Sequence, residues 1–341
     1  MALPAEPMLV FTHYLDGLAE RPWVAFLAIG MNAILWSNNR LGRFFATPNA
    51  LASRAIDILD RRYNRKELSI KELRLEGVSV LLTLVGAAIL GGLGLGWAFH
   101  AAPYGWLASA LVLSTQINYR GAMDEMRALR AAMARSTEEA RATLALMSAQ
   151  ETGTLDDSAI VRTGIRNLVQ SFSRDVVAPL AYFLLFGLAG AFAYKVIATG
   201  HGMIGNRTAQ AKGFGWSFKR LSFWLQWPAA RLALFFLASA ALQFGPKASY
   251  DSLRTAWRGA RRHALSSAGW LEGAMAGALG LEMGGRQHDM ERVITAPPIG
   301  DGRSLAEPAD LDRARRLVAG ALLVGALALA LVLTAARRTV T

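Results

Sequence analysis

Residues Gly77–Phe99 read GVSVLLTLVGAAILGGLGLGWAF, without one charged side chain. At 1.5 Å per residue, a helix of this length is long enough to cross a hydrocarbon core of roughly 30 Å. Backbone groups in lipid must find partners inside the segment, so the run is read as a spanning helix. Two more runs extend the pattern. Leu317–Ala336 is flanked by Arg315, Arg316, Arg337 and Arg338, and Val176–Tyr194 is closed by Lys195. Long cationic side chains at such ends snorkel to the headgroups. Three weaker candidates follow: Pro22–Trp36 is short, Ala101–Gln116 begins beside Pro103, and Leu221–Gly245 is interrupted by Arg231. The expectation is an all-α protein, a polytopic integral membrane helical bundle, with 1–341 as a single membrane-embedded unit. Its spans are expected at 22–36, 77–99, 101–116, 176–194, 221–245 and 317–336. The first apolar run starts after Asp16, Glu20 and Arg21, so it is not read as a cleavable signal peptide.

Composition agrees. Hydrophobic residues make up 53% and charged ones 18%, yet mean hydropathy is +0.27, so apolar and charged residues are segregated in blocks. With no cysteine, a disulfide framework and thiolate metal sites are excluded. The net charge of +12 is read as positively charged cytoplasmic segments. Ser37–Glu76 carries Arg40, Arg43, Arg54, Arg61, Arg62, Arg65, Lys66, Lys71 and Arg74, against fewer acids. Parity then puts three helical regions in the cytoplasm, 37–76, 117–175 and 246–316, and makes the chain a multi-pass protein of the cell inner membrane. The stretch Lys195–Arg220 carries Arg207, Lys212, Lys219 and Arg220, which argues against an outside location. A re-entrant or tilted pair would keep it inside.

The polar stretches are read as helical. Ser136-x-x-Glu139 has the form of a capping box, and Thr154-x-x-Asp157 is placed at the start of the next helix. Ala122, Met126, Leu129 and Met133 make an apolar stripe at helical spacing, which reads as packing. No alternating strand pattern of useful length is read, and Pro297–Gly302 with Pro308 marks a loop. Gly92-x-Gly94-x-Gly96 lies inside an uncharged span, so close helix packing is favoured over phosphate binding. The five histidines show no metal-ligand spacing, and several tryptophans at run ends fit an interfacial belt better than a base-stacking surface. Nucleic acid is not an expected partner.

The second half carries a specific resemblance. It lies in Ala193-Tyr194-Lys195 through Met203-Ile204-Gly205, Pro228-Ala229-Ala230-Arg231-Leu232, and Ala268 to Gly280 (AGWLEGAMAGALG). Ile299-Gly300-Asp301-Gly302-Arg303 continues it, and Ala140-Arg141, Thr152, Ile160-Val161-Arg162 and Val176–Leu180 fall in register upstream. In this order the chain resembles the adenosylcobinamide-phosphate synthase family of cobalamin biosynthesis from about Arg120 to the last helix. The resemblance implies a membrane enzyme that amidates a corrinoid carboxylate with aminopropanol or its phosphate, with ATP and Mg²⁺ driving the step. It implies that Lys195, Arg207, Arg231 and Arg303 meet phosphates or carboxylates, beside Tyr194, Thr199 and Trp270 in substrate binding. It implies that Glu272, Asp301 and Glu151 hold Mg²⁺ or steer the amine. Lys195, Glu272 and Asp301 are the candidate catalytic residues.

The chain departs from that family mainly by losing acids. Gly-Arg-Asp-Thr of the family is Ala149-Gln150-Glu151-Thr152 here, and Glu-Asn-x-x-Asp-Gly is Gln170-Ser171-Phe172-Ser173-Arg174-Asp175. An acidic position one turn earlier is Arg166. Asn-Thr-x-Asp-Ser-Met is Ala198-Thr199-Gly200-His201-Gly202-Met203, and paired aspartates are Ser222-Phe223. A hard cation wants carboxylate oxygens, so such a site holds MgATP poorly while its remaining cations still suit an anion. Two readings stand. One is an active ligase using ATP and Mg²⁺. The other is a catalytically degenerate paralogue with neither, acting as a membrane interaction or regulatory subunit. The implied partners are membrane lipid, a corrinoid or other anionic ligand and, in the second reading, another protein.

Overall fold

A computed structural model describes residues 6–35, 47–65, 67–148, 151–205, 211–262, 267–289 and 292–340. It is mostly helical. In chain order the helices are α1 Glu6–Leu35, α2 Thr47–Tyr63, α3 Ile70–Ala101, α4 Gly105–Gln116, α5 Tyr119–Met133, α6 Thr137–Met147 and α7 Asp157–Ser171. A π-helical stretch Phe172–Val177 leads into α8 Ala178–Gly200, and a second, His201–Gly205, follows it. Then come α9 Ala211–Phe214, α10 Trp216–Ala240, α11 Pro246–Arg262, α12 Ser267–Leu279, strands β1 Met283–Asp289 and β2 Arg292–Ile299, and α13 Pro308–Val340.

Four helical stretches are long and apolar enough to cross a membrane: Ile70–Ala101, Asp157–Gly205, Trp216–Phe244 and Pro308–Val332. They contain the runs at 77–99 and 176–194 and most of those at 221–245 and 317–336. The run at 22–36 falls in the last part of α1, whose description ends at Leu35. The run at 101–116 becomes α4, only 12 residues long. That is about 18 Å of helix, shorter than a hydrocarbon core.

By their contacts the residues fall into two compact units. The first holds 1–117, 178–225 and 326–341. Its packing rests on small residues. A Cβ on Gly92 would come within 2.4 Å of the Ala189 Cα, so α3 and α8 touch backbone to backbone there. Gly96, its expected partner in the small-residue motif, faces open space. Gly77 lies against the Phe214 carbonyl, and its own carbonyl accepts from Ser217 Oγ at 3.0 Å. Helix α8 is broken at Gly187, with φ 66° and ψ −156°. The carbonyls of Leu184 and Leu185 accept from Arg21 Nη1 at 3.3 and 2.8 Å, so α1 supplies partners where the helix opens.

The second unit holds 118–177 and 226–325. The apolar stripe of α5 is buried through Ala122, Met126 and Leu129, with Met133 half-buried. Ser136 caps α6 by accepting from the Glu139 amide at 3.1 Å. Helix α7 starts two residues later than Thr154 suggested: Asp156 is the cap, accepting from the Ala159 amide at 2.7 Å. Helices α11 and α12 pack closely, the Cβ-less Gly273 and Gly277 resting on the α11 backbone. The β1–β2 hairpin corrects the reading of 246–316 as a helical region broken only by a loop from Pro297. It is antiparallel, with Arg286 opposite Thr295 and His288 opposite Val293. Pro297 and Pro298, read as loop, lie near the end of β2, where a two-stranded ribbon tolerates residues without an N–H.

Candidate functional site

The second unit gathers Arg231, Trp270, Glu272, Asp301 and Arg303, but not as one constellation. Trp270 and Glu272 are two positions apart on α12, so they point to opposite sides of it. On one side Arg231, from α10, lies between two indoles. Its guanidinium carbon is 4.3 Å from the Trp227 ring centre and 4.7 Å from that of Trp270. Trp257 of α11 meets Trp270 edge-on at 5.5 Å. Trp227 and Trp257 are about half exposed. Arg231 Nη1 also reaches the Trp227 carbonyl at 3.3 Å. Stacking occupies the faces of a guanidinium and leaves edge N–H groups for an anion.

On the other side Glu272 is enclosed. Its Oε1 is 3.1 Å from Arg166 Nε, with the two side chains 6% and 5% exposed, and Gln170 Nε2 donates to it at 3.3 Å. The Arg166 contact is an ion pair by distance, without hydrogen-bond alignment at Nε. Arg166, at a position where the resemblance implies an acid, has its charge answered by Glu272 inside the protein.

Asp301 stands in the turn between Gly300 and Gly302. Its carboxylate is exposed and paired with Arg258 at 2.9 Å. Gly300 has φ 104°, and a Cβ on Gly302 would run into the Gly280 backbone, so the two glycines are there for the turn. Arg303 binds both oxygens of buried Asp310, at 3.0 and 3.1 Å, and reaches Glu307 at 3.1 Å. Its amide donates to the Gly280 carbonyl and its carbonyl accepts from Glu282, which ties the end of α12 to the start of α13.

Tyr194, Lys195 and Thr199 belong to the first unit. Tyr194 is buried and stacks on Tyr182 at 5.1 Å, whose hydroxyl donates to the Leu225 carbonyl at 2.8 Å. Lys195 and Thr199 are half-buried. Arg207 lies outside the described residues. Glu151 is exposed, while Thr152 is buried and donates to the Arg141 carbonyl at 3.1 Å. Ile160 and Val161, in register with the family upstream, are core residues.

These carboxylates do not fit Mg²⁺. Buried Glu272 is taken up by Arg166 and buried Asp310 by Arg303, while exposed Asp301 pairs with Arg258 at the surface. Among the described residues no three Asp, Glu or His side chains stand together as a metal site. The reading of single residues missed the Arg166–Glu272 pair. Half of its signal was present, as a lone acid on the apolar helix α12 that is costly to bury alone, while Arg166 is one of several charges on the amphipathic α7.

A family model described as CobD/Cbib protein matches residues 25–318. Curated relatives agree along most of their length. A cobalamin biosynthesis protein CobD of Sinorhizobium sp. is 32% identical over 269 residues, covering 78% of this chain and 83% of the relative. One from Brucella melitensis is 31% identical, over 84% and 87% of the two chains. One from Rhizobium meliloti is 28% identical, over 87% and 92%. No solved structure matches the chain. With helices fit to span a membrane and family identity along most of its length, the chain belongs to the CobD/Cbib family of cobalamin biosynthesis.

Proposed function

We propose that this chain acts in cobalamin assembly at the membrane, binding an anionic corrinoid or aminopropanol phosphate of the family's amidation through Arg231. The observation behind this is the guanidinium held between Trp227 and Trp270. Both aromatic neighbours restrict its rotamers, so less entropy is lost when an anion docks. A carboxylate or phosphate is the natural partner of the N–H edge. Substitution of Arg231 by Ala should weaken binding of a corrinoid acid about tenfold to a hundredfold, the loss of one charge-assisted contact. Arg231→Lys keeps the charge and should recover part of the affinity. Calorimetric titration in detergent reads this out, and equal affinity in all three proteins would sink the assignment.

A second reading is favoured by the Arg166–Glu272 pair. In it the chain binds its anion but has lost the MgATP-dependent ligation, and serves as an interaction or regulatory subunit. A group spent on neutralising a buried guanidinium is not available to a hard cation. Titration with MgATP should then give no binding, and the purified protein should form no amide from corrinoid acid, amine and MgATP. Sustained ATP-dependent turnover would rule this reading out and support the active ligase.

A further inference from the structure

Helices α5 and α13 enclose a cleft of about 470 Å³ lined by Tyr119, Arg120, Arg127, Asp312, Arg315 and Arg316 among others. It is separate from the Arg231 stack and from the Arg166–Glu272 pair. Its charge is unbalanced. Asp124 is shared between Arg120, at 3.3 Å, and Arg127. Asp312 is shared between Arg315, at 2.9 Å, and Arg130, at 3.4 Å. Arg316 is exposed and makes no ion pair among the described residues. Four guanidiniums, those of Arg120, Arg127, Arg315 and Arg316, thus line the cleft with the one carboxylate of Asp312. Like charges so close repel unless an anion joins them.

A second observation points to a ligand. The Nε of Arg315 is buried and has no hydrogen-bond acceptor among the described residues. A buried donor without a partner is rare, and an absent ion is one reason for it. Tyr119 adds a phenol to the wall. Burial pushes it above the ordinary tyrosine value, outweighing Arg127, Arg315 and Arg120, so it stays a neutral O–H donor. Forked guanidiniums beside a hydroxyl donor are suited to phosphate oxygens. The place is also telling. The apolar run of α13 begins at Leu317, directly after Arg316, and Ala319 is part of the cleft wall. A basic pocket where a spanning helix enters the bilayer lies at headgroup depth.

We propose that the α5–α13 cleft binds a phosphoryl group, supplied by an anionic phospholipid headgroup or by a soluble phosphate. This does not rest on Arg231 or on the ligase reading. The test compares the wild type with the double variant Arg127→Gln/Arg316→Gln, both side chains reaching solvent, and with a control of equal charge loss elsewhere, Arg61→Gln/Arg65→Gln. Proteins are placed in nanodiscs of phosphatidylcholine with a minor fraction of phosphatidylglycerol, and retained lipid is measured by native mass spectrometry. Inorganic phosphate is then titrated into nanodiscs of phosphatidylcholine alone, with thermal unfolding as the readout. Wild type and control should retain phosphatidylglycerol, or be stabilised by phosphate, at least tenfold more strongly than the double variant. Lipid retention without a phosphate effect assigns the headgroup, and phosphate stabilisation without lipid preference assigns the soluble ion. No preference in the wild type, or equal behaviour of the double variant and the control, overturns the proposal.

Discussion

Removing the Glu272 carboxylate would leave the Arg166 guanidinium inside the protein with the Gln170 amide for company. Breaking one half of a buried pair costs about 3–5 kcal/mol, because the remaining charge is uncompensated. Glu272→Ala and Arg166→Ala should each destabilise the protein by that order, read as loss of unfolding temperature in detergent. The double change Arg166→Met/Glu272→Met should recover most of it, since apolar residues of similar volume replace a pair whose hydrogen bonding is incomplete. If Glu272→Ala instead leaves stability untouched and abolishes MgATP binding, the carboxylate is a metal ligand and the ion-pair account fails. At this scale the sequence was legible in residue type and poorly legible in partner. Glu272 and Arg231 stand out as charges in apolar helices, but nothing in their spacing says that one faces Arg166 and the other two indoles. Arg303 shows the same limit, because Asp310 that claims it is seven residues away around a turn. Glu125 gives an independent test. Burial and then Asp175 push its carboxyl above the usual range, against the pull of Arg174. Such an acid stabilises the fold fully below the ordinary glutamate value of about 4.3, and that contribution is lost as pH rises through its raised value. Glu125→Gln should therefore be more stable than the wild type at pH 7 and no more stable near pH 4. Part of the side chain reaches solvent, which keeps the gain below about 1 kcal/mol. An equal difference at both pH values would contradict this.

Among the elements, α8 departs most from its sequence reading. Hydropathy sees Val176–Tyr194 as one unbroken run, because it counts polarity and not φ. The break at Gly187 sits at φ 66° and ψ −156°, a region open essentially to glycine. Gly187→Ala should therefore cost of the order of 1–3 kcal/mol, whatever space surrounds it. Opening the helix frees carbonyls, which in an apolar setting must be answered. Arg21 answers those of Leu184 and Leu185. Arg21→Ala should destabilise by about 2–3 kcal/mol, the value of hydrogen bonds to a charged donor, and Arg21→Gln should lose less. Thermal unfolding in nanodiscs measures both, and an Arg21→Ala protein as stable as the wild type would show that water serves those carbonyls. The partner lies more than 160 residues away in sequence, which is why Arg21 reads only as a charge before an apolar run. The β1–β2 hairpin was hidden for another reason. β1 carries two glycines and no β-branched residue, and the Val293–Thr295 run of β2 is short, unalternating and soon followed by two prolines, so local propensity gave no strand signal.

For the molecule as a whole, the decisive question is whether α4 returns the chain through the membrane. With 12 residues it is too short to do so as a free helix. It is not free. Buried Asn32 of α1 donates to the carbonyls of Ser114 and Ile117, at 3.1 and 2.9 Å, so the last turn of α4 ends in protein and not in lipid. Irregular backbone at membrane depth is tolerated where it is buried in this way. The charge pattern demands the same return, because basic residues crowd both 54–74 and 120–141 and a positively charged flank stays on the cytoplasmic side. The chain has no cysteine, so single introduced thiols report sidedness without background. In spheroplasts an impermeant maleimide should label Ala102→Cys, at the exposed end of α3. It should spare Arg61→Cys and Glu138→Cys until the membrane is opened, all three positions being exposed to solvent or lipid. Labelling of Glu138→Cys from outside would mean that α4 does not cross and that the basic surface of α5 and α6 lies on the far side. It would also place the α5–α13 cleft against the outer leaflet, where anionic headgroups are fewer and a soluble phosphate becomes the better occupant.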